Sequence, residues 1–126
     1  MKSKPLFVAL ALVVLSLAFA APALAMDGDP MCNHDAMTIE SLHHCVHHAV
    51  EMGHITNANW ADSLHAKLDA AQAALDRGQS DVAVNILNAF IKEVGAQSGK
   101  FILDPHGEHL TSHAQMVIDA LTMQGM

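Results

Sequence analysis

The chain has 126 residues and a formal charge of −7, and its 10 histidines outnumber its 6 lysines and arginines. So little positive charge excludes the basic patch that nucleic acid or an anionic membrane surface requires. The length allows one domain, or a small domain behind a targeting segment.

Residues 1–25 read as a cleaved secretory signal peptide. Lys2 and Lys4 form a charged start, and Leu6 to Ala21 is apolar except for Ser16. Ala23-Leu24-Ala25 supplies the small-x-small cleavage pattern. The apolar run is short for a membrane span, and no second one follows. No Cys comes directly after it, which argues against a lipoprotein. Cleavage leaves 101 residues (126 less 25), with 4 basic and 13 acidic, net −9, and keeps all ten His and both Cys. The expected location is periplasmic or secreted, with no membrane attachment after cleavage and with conditions that permit a disulfide.

Residues 26–36 contain Gly, Pro and Asp without a period and read as an irregular arm. Residues 37–126 are expected to form the helical domain. Helix 1 is expected over Thr38–Met52, capped by Thr38 and closed by Gly53, with Ile39, Leu42, Val46, Ala49 and Val50 on one face. Helix 2 is expected over Ala58–Arg77, with a stripe of Trp60, Leu64, Leu68, Ala71 and Leu75 that ends at Gly78. Helix 3 is expected over Asp81–Gln97, capped by Ser80, with Ala83, Ile86, Leu87, Phe90 and Val94 inward. Helix 4 is expected over Pro105–Met123, with Asp104 as cap and Leu110, Ala114, Val117, Ile118 and Leu121 as its stripe. No strand pattern competes. Short links make neighbours antiparallel, so the fold class is all-α, an up-down four-helix bundle.

Two stretches carry a resemblance: Ser63 to Gly78 (SLHAKLDAAQAALDRG) and Asn85 to Lys100 (NILNAFIKEVGAQSGK). With Gly53-His54-Ile55-Thr56-Asn57 they resemble the FIMAH-type small helical domain, over roughly residues 39–122. The resemblance implies a secreted bacterial all-α module of the kind appended to hydrolases, lyases and surface proteins, and it implies no active site. Two departures bear on function. The sequence reads as a stand-alone domain behind its own signal peptide, and it carries histidine clusters in helices 1 and 4.

Helix 1 contains His43-His44-Cys45-Val46-His47-His48. Positions four apart share a face, so His43 pairs with His47 and His44 with His48. Neutral imidazole at this spacing suits Zn²⁺, Cu²⁺ or Ni²⁺. Helix 4 contains His106, His109 and His113 on one stripe that Met116 continues. Antiparallel helices 1 and 4 are expected to bring His47 near His109 and His113, and His43 near Met116. The expected metal ligands are His43, His44, His47, His48, His109 and His113. His54 and His65 read as ordinary surface residues, and Met116 and Met123 as core filling. There is no H-E-x-x-H, no C-x-x-C-H and no repeated inward Glu-x-x-His pair.

Cys32 and Cys45 read first as a disulfide that pins the arm to helix 1, contributing about 3 kcal/mol in the chain-entropy model. The alternative is a pair of thiolate ligands. Histidine also offers a charge switch: protonating all ten takes the mature chain from −9 to +1, so adjacent pairs repel below about pH 6.5. The leading expectation is an exported, non-enzymatic protein that buffers, sequesters or delivers a transition metal ion (Cu, Zn or Ni). The runner-up is a secreted structural or protein-interaction module without a specific metal site. Nothing in the sequence identifies a protein partner.

Overall fold

Thr38 opens the first helix by accepting a hydrogen bond from Ser41 N at 3.1 Å, as its cap position requires. The computed structural model describes residues 32, 33 and 35–125. The expected signal peptide, most of the arm and His34 lie outside them. Four helices follow in order: α1 (Ile39–Glu51), α2 (Ala58–Asp76), α3 (Ser80–Gln97) and α4 (His106–Gln124). Each packs on its neighbour in sequence, and α4 closes the ring against α1. Among the described residues there is no strand, and no helix is long and apolar enough to cross a membrane.

The expected stripes form the core. Leu42, Val46, Leu64, Leu68, Leu87, Phe90, Val94 and Val117 are fully buried. Trp60, Leu75, Ile86 and Val50 lie at its edge, whereas Met123 is exposed at 72% rather than filling the core. Asn57 caps α2 by accepting from Asn59 N and Trp60 N. Two helix starts differ by a residue from expectation. Ser80 is the first residue of α3 rather than its cap, and Pro105 takes the cap position of α4 without a side-chain bond. Helix ends fray on this scale, and neither shift turns a stripe.

Helices α1 and α2 end alike. Gly53 (φ 79°) donates to Val50 O and His54 N to Ala49 O. Gly78 (φ 77°) donates to Leu75 O and Gln79 N to Ala74 O. These are paired Schellman bonds, which need a residue at ease in the left-handed region. At one end of the bundle, the α1–α2 and α3–α4 links are joined. Thr56 N donates to Phe101 O and Leu103 N to His54 O, each at 2.8 Å, around an Ile55–Ile102 bridge. The α2–α3 interface also carries an ion pair between Lys67 and Glu93.

The thinnest interface is α1 against α4. The arm straps across it. Cys32 of the arm is bonded to Cys45 of α1, and His113 of α4 donates from Nε2 to Ala36 O of the arm at 3.0 Å.

Candidate metal centre

The histidines gather in two places. The first lies between α1 and α2, where the His43 and His65 rings stack with centroids 4.7 Å apart. Their Nδ1 atoms are 2.8 Å apart, while His43 Nε2 is 2.8 Å from Asp69 Oδ1. A carboxylate only accepts, so His43 carries its proton on Nε2 and presents a lone pair at Nδ1. His65 then donates its Nδ1–H to that lone pair. An outer carboxylate that fixes the tautomer of an imidazole is the usual support of a histidine ligand. Burial holds the His65 pKa below 6.5, and the neighbouring His43 and His47 push it the same way, against the opposing pull of Asp69 and Asp62.

The second group lies at the clasped end. His48 of α1 and His106 and His109 of α4 line a cavity of about 330 Å³ together with Cys32 and Cys45. His54, on the α1–α2 link, stacks on His106 with centroids 3.5 Å apart and 13° between planes, and His109 meets His106 edge-on at 6.0 Å. The backbone sets this pairing, because Leu103 N donates to His54 O and His106 N donates to Leu103 O. Partial burial lowers the His106 pKa, followed by the fields of His54, His109 and His48.

His113 occupies neither group. It is fully buried, with Nδ1 3.3 Å from Cys45 Sγ, so it sits against the disulfide. Cys32 and Cys45 are bonded to each other, which resolves the sequence alternatives in favour of the disulfide.

The sequence profile of the FIMAH domain matches residues 39–119, well over half of the chain. The chain belongs to the FIMAH domain family. No curated protein and no solved structure matches it.

In this FIMAH domain the six expected ligand residues separate. The axial level expected for α1 against α4 is right: Cys45 lies opposite His113, and His48 shares a cavity with His109. The rotation of α1 is not. His43 faces α2 rather than Met116. His47 is an exposed side chain 3.4 Å from Glu51 Oε1, and His44 is exposed and joins neither group. His48 is half-buried and lines the same cavity as His106 and His109 of α4. Each residue turns a helix by about 100°, so a one-residue error in facing moves a side chain to a different neighbour. His54 and His65, expected as ordinary surface residues, each stack on another histidine. The signal for His65 was present: folding α1 back on α2 across their short link sets His43 level with it, and Asp69 lies one turn further along.

Proposed function

We propose that this FIMAH domain is an exported, non-enzymatic protein that binds a transition metal ion, with His43 and His65 as its most prepared ligands. The observation that carries this reading is the separation of their Nδ1 atoms, 2.8 Å. Two nitrogens about 2.0 Å from an ion and at right angles lie about 2.8 Å apart, whereas tetrahedral ligands lie about 3.3 Å apart. The pair is close enough to share one ion once His65 Nδ1 gives up its proton, and among ions that imidazole suits, the usual affinity order puts Cu²⁺ first. Asp69 supports His43 from behind. His47 is four residues along α1 from His43, the spacing at which a second imidazole can reach the same ion. The cavity lined by His48, His106 and His109 offers a second set of nitrogen donors. The signal-peptide pattern and the disulfide both suit a periplasmic or extracellular role in buffering, sequestering or delivering the ion.

The test is calorimetric titration of Cu²⁺, Ni²⁺ and Zn²⁺ into the untagged, oxidised protein. The expected result is saturable, stoichiometric binding with Cu²⁺ tightest, and a loss of at least tenfold in affinity for His65→Gln and for His43→Gln. Weak binding without stoichiometry, unchanged by either substitution, would instead support a secreted interaction module.

A further inference from the structure

We propose that the Cys32–Cys45 disulfide is the closed form of a second, redox-gated metal site, and that on reduction Cys32, Cys45 and His113 together bind one thiophilic ion, Zn²⁺ or Cu⁺. The site is separate from the His43–His65 pair and does not depend on it.

The donor atoms are already assembled. Both sulfurs and one ring nitrogen of His113 lie within 4.8 Å of one another. The Cys45 Sγ to His113 Nδ1 distance is 3.3 Å. A thiolate and an imidazole on one tetrahedral zinc, at about 2.3 and 2.05 Å, lie about 3.5 Å apart. Ligation would need a shift of only a few tenths of an ångström at this pair.

The tautomer is also set. The Ala36 carbonyl can only accept, so the 3.0 Å contact places the proton of His113 on Nε2. Neutral His113 therefore turns its Nδ1 lone pair toward the sulfur. Donation from the far nitrogen to a backbone carbonyl is the usual support of a metal-bound histidine. A histidine needed only to fill the core would be replaced there by an apolar side chain without a buried polar group to satisfy.

Access and movement complete the case. Both cysteines line the cavity of about 330 Å³, and half-buried Cys32 is the sulfur a reductant meets first. Cys45 is fixed in α1, whereas Cys32 is on the arm. Two thiolates on one ion sit about 3.8 Å apart, and Cys32, which lies outside the helices, is the partner that moves to that distance. It stays near α1, because Ser41 Oγ donates to Asn33 O at 2.7 Å. In the chemical step a dithiol gives up two electrons and two protons. It becomes a disulfide, the Cys32–Cys45 bond breaks and two thiols form. The incoming ion then displaces both thiol protons as it binds.

The experiment titrates Co²⁺, as a zinc analogue, into untagged protein reduced anaerobically with dithiothreitol and then desalted. The reduced protein is expected to develop thiolate-to-cobalt charge-transfer absorption that saturates at one ion per chain, and the oxidised protein to develop none. Cys32→Ser and Cys45→Ser should each abolish the band, and His113→Gln should weaken binding at least tenfold. If His113→Gln does not fold, the ring nitrogens of His113 in the wild-type protein report the same bond: Nδ1 must become metal-bound while Nε2 keeps its proton. The double variant His43→Gln, His65→Gln should bind the ion at least tenfold more weakly in the oxidised protein and keep the thiolate band in the reduced one. No band in the reduced protein, full affinity in His113→Gln, or loss of the band in the double variant overturns the proposal.

Discussion

Gly107 at the start of α4 lies so close to Ser98 that a Cβ added to it would overlap Ser98 Oγ and come within 2.9 Å of Ser98 Cβ. Ser98 cannot simply turn away, since its hydroxyl donates to Val94 O at 2.8 Å at the end of α3. This contact seats the residue that follows His106. Gly107→Ala is expected to cost about 1–3 kcal/mol, the range of overpacking in a filled site. It should also displace His106 and His109. Denaturant melts give the first quantity, and the ring resonances of the two histidines report the second. An unchanged midpoint would show that α3 and α4 can separate there at no cost.

Acidification should destabilise the metal-free protein. Both His65 and His106 are held below the ordinary value of 6.5 in the folded chain. Below about pH 6.5 the unfolded chain takes up protons that the folded chain resists, so stability rises with pH across that window. It is fully present above the unfolded value and is lost as pH falls through the lowered folded values. Asp69 and Asp62 temper the effect at His65. Thermal melts in chelator between pH 5 and pH 8 should show a falling midpoint on the acid side. His65→Gln should flatten part of that slope, and an equal slope in the variant would assign it to other groups.

Lys67 and Glu93 form a half-buried pair, with side-chain exposures of 31% and 11%. The Glu93 carboxylate oxygens lie out of solvent and accept no well-formed hydrogen bond, so the Lys67 charge is their compensation. Lys67→Met should therefore destabilise the bundle by up to about 3 kcal/mol, below the full cost for a buried pair because Lys67 is partly hydrated. Adding Glu93→Gln should recover part of the loss. A double-mutant cycle by urea unfolding measures the coupling, and a value near zero would contradict the assignment.

Replacing both cysteines by alanine should cost about 3 kcal/mol, the chain-entropy value for a loop near the observed separation of 13 residues. That entropic part acts on the unfolded chain and is shared by the whole bundle, while loss of the strap adds local opening at the α1–α4 seam, where helix packing is thinnest. Amide exchange should therefore accelerate in α4 more than in α2 and α3. Uniform acceleration would mean that the strap stabilises the whole bundle alike.

The sequence was most informative where a period repeats. The stripes of α1 to α4 recur every three or four residues, and each places Leu, Val, Ile or Phe in the core. The glycines at 53 and 78 likewise mark helix ends through their conformational freedom. The site was harder to read, because a single histidine carries no period. Its partner depends on the rotation of one helix against two neighbours. The short links set the axial level of His43 but not its facing, and it meets His65 and Asp69 of α2 rather than α4. His113 was expected as a metal ligand within a histidine group, but its stripe position on α4 already put it on the buried side, next to Ala114 and Val117. His54 and His106 meet only because two links pair through backbone bonds, and no side-chain pattern announces such a clasp.

That clasp makes the two ends of the bundle unequal. At one end, both links share hydrogen bonds, so neither can open without the other. At the opposite end, among the described residues, Arg77 to Gln79 turn between α2 and α3 without a backbone bond to another link. Spontaneous opening should therefore begin at the lone turn, and a protease should cut there first. Histidines 54 and 106 belong to the end that opens last, so they keep their relative position while the far end breathes.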